Sequence, residues 1–307
     1  MRSGRRAVGT GALADWTLVS AAPTPAADPR LPVRVVDIDD PADERVEDFR
    51  DLNSVDRRPD LPVPPGGRRG RGLVIAEGVL VAQRMIASRF RPHAFLGVTR
   101  RLEELSGDLR VDPDASVPFY RASAEVMAEI VGFHLNRGVL GVARRPQILG
   151  VDEVLANART VAILEGVNDH ENIGSIFRNA AGLGVDAVLF GAGCADPLYR
   201  RSVRVSMGHA LLVPFTGFET WPGGLDQVHR QGFTTVSLTP DPAAMPLSEA
   251  LAHERVAFLV GAEGPGLTRA TMRATDVQAR IPMSRGTDSL NVATAAAIAF
   301  YERVRLL

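Results

Sequence analysis

Three short polar stretches carry the side chains with chemistry to offer. They are Asn168-Asp169-His170-Glu171-Asn172 and on to Arg178; Gly261-Ala262-Glu263-Gly264-Pro265-Gly266; and Ile281-Pro282-Met283-Ser284-Arg285-Gly286-Thr287-Asp288-Ser289-Leu290-Asn291. Each follows an apolar run and leads into a helical pattern. In the third, Ser289 and Asn291 have side-chain oxygens that can accept the orphan N–H groups of a helix start. Polar groups at a helix mouth suit an anionic or carboxylate-bearing ligand; a capped helix and nothing more fits the same residues. In the second stretch, glycines at 261, 264 and 266 let backbone approach a ligand closely, because no Cβ intervenes; a plain Gly-Pro-Gly turn is the alternative. Glu263, between those glycines, is a loop anchor or a functional carboxylate. Asn172 and Arg178 lie six positions apart in one helix and so do not stack on one face. Asn172 is expected to cap that helix and shape its loop, with Arg178 reaching the site from the side.

Other chemistries fit poorly. Gly191-Ala192-Gly193-Cys194-Ala195-Asp196 begins like a dinucleotide fingerprint, but ends in Asp where Gly or Ala is wanted, and Pro197 follows. The second glycine stretch has the wrong spacing for that motif. No nucleophile elbow appears, and the six histidines are scattered without metal-ligand spacing. His170 and His209 alone stand near the polar stretches. The single cysteine, Cys194, excludes an intrachain disulfide framework and a cysteine-cluster zinc site.

The elements that must position these residues alternate regularly. From Val161, apolar runs of strand length (161–165, 185–190, 210–215, 233–238, 255–260, 277–281) alternate with helical patterns (172–183, 198–207, 225–231, 247–252, 268–274, and 291 almost to 307). Continuous apolar strands with helices between them predict a parallel sheet covered on both faces. A smaller α/β unit precedes it. Strands are expected at 33–36, 73–76, 94–98, 117–120 and 139–143, and helices at 41–53, 78–88, 101–109 and 124–135. Residues 1–30, rich in Ala, Pro and Gly, are expected to form a disordered tail. Residues 59–72 form a Pro/Gly/Arg linker with Arg68, Arg69 and Arg71, and 146–158 link the two units. The expected division is therefore 1–30, 31–150 and 151–307.

Composition narrows the partners. The chain has 307 residues, 45% hydrophobic and 23% charged, which is ordinary for a globular protein. A net charge of −1 makes no global case for nucleic acid, so any such surface must be a local patch. All 35 Lys+Arg positions are arginine. Arginine suits phosphate forks and base stacking, but the wholesale absence of lysine points to coding bias. Arg200, Arg201 and Arg204 form a basic cluster suited to phosphates or to a solvated helix face; Asn136 and Arg137 offer a similar pair. No apolar run approaches the ~18 residues of a membrane span. Arg2, Arg5 and Arg6 before residues 11–20 faintly resemble a secretory signal, which Asp15 and Trp16 break. A cytoplasmic location is expected.

Taken in order, the three polar stretches resemble the three motifs of the SpoU (TrmH-like) family of RNA 2′-O-ribose methyltransferases, in the SPOUT superfamily. The resemblance covers Val161 to the end. It implies an α/β fold whose C-terminal parallel sheet carries a trefoil knot, where ordinary connection rules favour an unknotted sheet. A small L30e-like RNA-binding domain would precede that sheet, with Glu77-Gly78 and 132–140 as its most family-like parts. The implied methyl donor is S-adenosylmethionine, with no metal, and the implied partners are ribosomal or transfer RNA and a second copy in a homodimer. Carried over by motif, the donor-binding residues are Leu238, Thr239, Gly261, Glu263, Gly266, Ile281, Met283, Ser289, Leu290 and Asn291. The catalytic set is Arg178, Asn172, Glu263, Ser289 and Asn291. Arg178 would stand nearest the hydroxyl; because a guanidinium stays protonated, it is expected to stabilise developing alkoxide charge. Arg201 to Ala210 is a further family-like run, with His209 before Ala210 making the local match less regular. The alternative is a non-catalytic RNA-binding protein that keeps the fold.

Overall fold

The computed structural model describes residues 28–54, 58–61, 71–284 and 286–307. The expectations for residues 1–27, Arg68 and Arg69 lie outside them. Two sheets organise the chain. The first holds β1 (Leu31–Asp37), β2 (Leu73–Glu77), β3 (Pro92–Gly97), β4 (Leu109–Val111), β5 (Val117–Arg121) and β6 (Val139–Arg144), in the order β2-β6-β3-β5-β1-β4. β6 runs antiparallel to β2 and β3, and the other pairings are parallel. Its helices are α1 (Val79–Ala87), α2 (Thr99–Glu104) and α3 (Ala124–Val131).

The second sheet has seven strands: β7 (Thr160–Glu165), β8 (Ala187–Phe190), β9 (Phe215–Gly217), β10 (Thr234–Leu238), β11 (Met245–Pro246), β12 (Val256–Gly261) and β13 (Val277–Arg280). Their order is β11-β13-β10-β12-β7-β8-β9, and every pairing is parallel. The helices are α4 (Val151–Leu155), α5 (His170–Gly182), α6 (Arg200–Val205), α7 (Leu225–Arg230), α8 (Leu247–Ala250), α9 (Arg269–Ala274) and α10 (Val292–Leu306). Alternation along the strands divides the core. Ala162, Leu164, Phe258 and Val260 pack with Ile173 and Phe177 of α5 and Ala296 and Phe300 of α10. Val161, Ile163, Ala257 and Leu259 pack with Leu155 of α4 and Val228 of α7 on the other face. Both faces of β7 and β12 are therefore buried, which accounts for their unbroken apolar sequences.

Some local expectations change. Residues 41–53 hold only a 3-10 turn, Glu44–Phe49. Val46 and Phe49, its buried residues, are three apart and so suit a three-residue turn. Helix α2 stops at Glu104, and Leu109 instead pairs with Leu31 in β4. Residues 210–215 are not a strand. The Ser206 hydroxyl donates to Val203 O (2.9 Å) and accepts from Ala210 N (3.2 Å), winding 209–211 into a 3-10 turn, and β9 starts only after Pro214. The 146–158 link contains α4, whose Val154 and Leu155 are buried.

The two sheets share a core. Val74, Ala76, Val81 and Met85 from the first unit and Leu198, Val203 and Leu211 from the second belong to one apolar cluster. Beside it, Arg200 donates to Glu77 at 2.9 Å, with side chains 12% and 7% exposed, and its backbone N–H donates to Asp60. Among the described residues, no helix is long and apolar enough to cross a membrane.

Candidate functional site: a cavity at the carboxyl ends of the second sheet

In an open parallel sheet, the loops leaving the carboxyl ends of the strands form the natural crevice. Here the loops after β10, β12 and β13 meet around a cavity of about 440 Å3. Strand β12 ends at Gly261, and the chain doubles back so that Gly266 N–H donates to Ala262 O at 2.9 Å. A Cβ on Gly261 would lie 2.2 Å from the carbonyl carbon of Gly266 and the nitrogen of Leu267, so only glycine fits. The exit of the loop is anchored by Glu165, which is 5% exposed. Its carboxylate accepts from the Thr268 N–H (2.8 Å), Thr271 Oγ1 (2.8 Å) and Trp221 Nε1 (2.7 Å). Burial pushes the Glu165 pKa up, but these donors outweigh it and hold the group below its ordinary value.

Three motif side chains close a triangle at the cavity, Glu263 and Asn291 in its wall and Asn172 beside them. Asn172 Nδ2 donates to Glu263 Oε1 at 3.0 Å, Asn291 Nδ2 donates to the same oxygen at 2.7 Å, and Asn291 Nδ2 also reaches Asn172 Oδ1 at 2.8 Å. Asn291 meanwhile caps α10, its Oδ1 accepting from Ala293 N and Thr294 N. The network thus joins α5, the glycine loop and α10. The cap of α5 is Asp169, which accepts from Glu171 N, and not Asn172 as expected. Asn172 stands in the first turn, with its amide free for Glu263.

All ten residues expected to bind a donor line the cavity: Leu238, Thr239, Gly261, Glu263, Gly266, Ile281, Met283, Ser289, Leu290 and Asn291. Among the described residues, Glu263 is the one charged residue of the lining. Ala295 also lines it, one turn beyond Asn291 on α10, and helical spacing would have found it. Arg178 is not in this wall; it is an exposed residue further along α5. Its charge acts on His209 and Arg84. His170 packs edge-on to Tyr199, with ring centroids 4.2 Å apart, and burial lowers its pKa. The arginines of α6 are engaged: Arg200 with Glu77, Arg201 with Glu171.

Comparison with known proteins agrees with this geometry. The profile of the SpoU rRNA Methylase family matches residues 159–301, which span the second sheet up to α10. An uncharacterized tRNA/rRNA methyltransferase of Mycobacterium bovis is 64% identical over 274 residues, covering 88% of this chain and 92% of that protein. The 23S rRNA (guanosine(2553)-2′-O)-methyltransferase RlmP of Bacillus subtilis is 29% identical over 190 residues, 62% of this chain and 74% of its own. The AdoMet-bound rRNA methyltransferase of Sinorhizobium meliloti has the same fold, with a TM-score of 0.69 at 20% identity over 89% of this chain and 98% of that one. A 64% identity to the mycobacterial protein over most of both chains, with the family profile lying over the three converging loops, places this chain in the SpoU rRNA methylase family.

Proposed function

We propose that this protein transfers a methyl group from S-adenosylmethionine to a ribose 2′-hydroxyl of ribosomal or transfer RNA. The observation that carries the reading is the convergence of three loops, distant in sequence, on one cavity lined by every residue expected to hold the donor. Its volume lies within the ~300–1,000 Å3 of small-molecule sites. The lining suits the donor: small and aliphatic residues, the polar side chains of Thr239, Ser289 and Asn291, and one carboxylate for a cationic centre. When bound, S-adenosylmethionine supplies a methyl group on a positively charged sulfur, open to in-line displacement by an oxygen.

The chain's residues do the positioning. Leu238, Thr239, Gly261, Gly266, Ile281, Met283 and Leu290 hold the donor through backbone groups and apolar surface. Glu263, held by Asn172 and Asn291, fixes the glycine loop and places negative charge near the sulfonium. Ser289 and Asn291 bracket the methionine end or the ribose. Alignment of this kind supplies up to ~7–11 kcal/mol of barrier reduction. Arg178 donates to the 2′-oxygen or its neighbouring phosphate and stabilises developing alkoxide charge, and the proton leaves to phosphate or solvent. Among the described residues no carboxylate pairs with Arg178, which supports a role toward an incoming anion.

The same reading divides the chain into a tail (1–30), an L30e-like RNA-binding domain (31–150) and a catalytic domain (151–307) with a trefoil knot, which a crystal structure would test. It also makes the protein a cytoplasmic homodimer. Ile298, Tyr301 and Val304 give α10 an exposed apolar face in support, and sedimentation at the mass of one chain would remove the dimer.

Calorimetric titration with S-adenosylmethionine tests the enzyme reading, and absence of binding overturns it. Arg178→Ala is expected to abolish methyl transfer while donor binding survives. Near-normal turnover in that variant would refute the role of Arg178. Mapping of 2′-O-methyl sites in RNA from cells lacking the protein identifies the nucleotide.

A further inference from the structure

We propose that Arg84 of α1 and Arg178 of α5 together seat one phosphate of the acceptor RNA, beside His209. The inference rests on the methyltransferase reading and adds to it a residue outside the span 159–301 that the family profile covers.

The geometry begins at the junction of the two units. Arg84 is half-buried and its Nη1 donates to the Met207 carbonyl, on the turn that leads to His209. Gly208 is pressed against it: a Cβ there would lie 3.3 Å from Cβ and Cδ of Arg84. The guanidinium is thereby held at the turn, with its other N–H groups unbonded to protein among the described residues. Burial, and then the charge of Arg178, bring the Arg84 pKa down. Burial, then Arg84, then Arg178 lower the His209 pKa to about 4, and no carboxylate acts on it. Helices α1 and α5 both pack against the 209–211 turn, which brings the charges of Arg84 and Arg178 within electrostatic reach of the imidazole, and no acid acts on Arg84 or His209.

Neighbouring arginines differ. Arg58 has Asp60, Arg145 has Asp196, Arg200 has Glu77 and Arg201 has Glu171. The charges of Arg84 and Arg178 repel one another, and an incoming phosphodiester between them offsets that repulsion. Guanidinium groups bind such oxygens through paired, charge-assisted hydrogen bonds. Arg178 also shares α5 with Asn172, part of the network at the donor cavity. A phosphate seated there would lie on the acceptor side of that cavity. The first unit then contributes directly to substrate placement, and the acceptor site is complete only when both units are docked.

The test uses the full chain and fluorescently labelled single-stranded fragments of 23S ribosomal RNA. Binding is measured over a salt series, beside a calorimetric titration with S-adenosylmethionine. Arg84→Gln keeps a donor for Met207 O and removes the charge. It is expected to weaken RNA binding about tenfold and to reduce the slope of log K against log salt by about 0.7, one phosphate contact. Donor affinity should not change, and Arg84→Lys should restore the slope. Wild-type affinity and slope in Arg84→Gln overturn the proposal alone; a wild-type protein that binds no RNA overturns the underlying reading with it. A measurement free of variants uses the His209 imidazole resonance. Bound phosphate should raise its pKa, and an unchanged titration with RNA bound counts against the seat.

Discussion

Glu263 receives the amides of Asn172 and Asn291 on one oxygen, Oε1. Asn172 is only 8% exposed, so its replacement leaves little room for water to stand in. Asn172→Ala should lower S-adenosylmethionine affinity by loosening the loop. Asn172→Asp should lower it further, because a second carboxylate would then stand about 3 Å from the first and the two cannot both ionise cheaply. The aspartate variant should regain part of its affinity as pH falls toward 5, and equal affinities of the two variants across pH would refute the account. Motif spacing made the identity of these residues legible, but not their partners. Asn172 was expected to cap its helix, yet Asn168 and Asp169 stand just upstream and can do the same. Asp169 takes the role because it has the extended backbone, φ −82° and ψ 120°, that a cap requires.

At the scale of elements, the glycine loop depends on the absence of a single methyl group. Gly261→Ala would drive a Cβ into the backbone of Gly266 and Leu267, and backbone cannot step aside as a flexible side chain can. The expected result is loss of donor binding by at least tenfold, with the apolar core of the second sheet intact by circular dichroism. Normal affinity in that variant would show that the loop is not set by this contact. Most elements were readable because buried strands and amphipathic helices differ in period. The 209–211 turn was not, because Ala210-Leu211-Leu212-Val213 has a strand's composition and the hydroxyl of Ser206 decides otherwise. β11 is two residues long and has no period to read.

Across the whole molecule, the two sheets are joined by a shared apolar cluster and by the buried pair Arg200–Glu77, which links positions 123 residues apart. From sequence, Arg200 could only be a phosphate ligand or a solvated cation; its partner belongs to tertiary structure. Removing one member of a buried pair strands the other. Arg200→Ala should therefore destabilise the chain by ~3–5 kcal/mol, measured by urea denaturation, and the double change Arg200→Met with Glu77→Gln should recover much of the loss. A cost below 1 kcal/mol for Arg200→Ala would mean that Glu77 finds water instead.

The cavity wall draws on residues from Leu238 to Ala295, and its strands pair out of sequence order, β12 inserting between β7 and β10. A ribosome therefore delivers most of this chain before any donor site can exist. The nascent protein cannot be charged with cofactor piecemeal; competence for methylation arrives in one step, after the segment through Ala295 has emerged and found its place against the sheet.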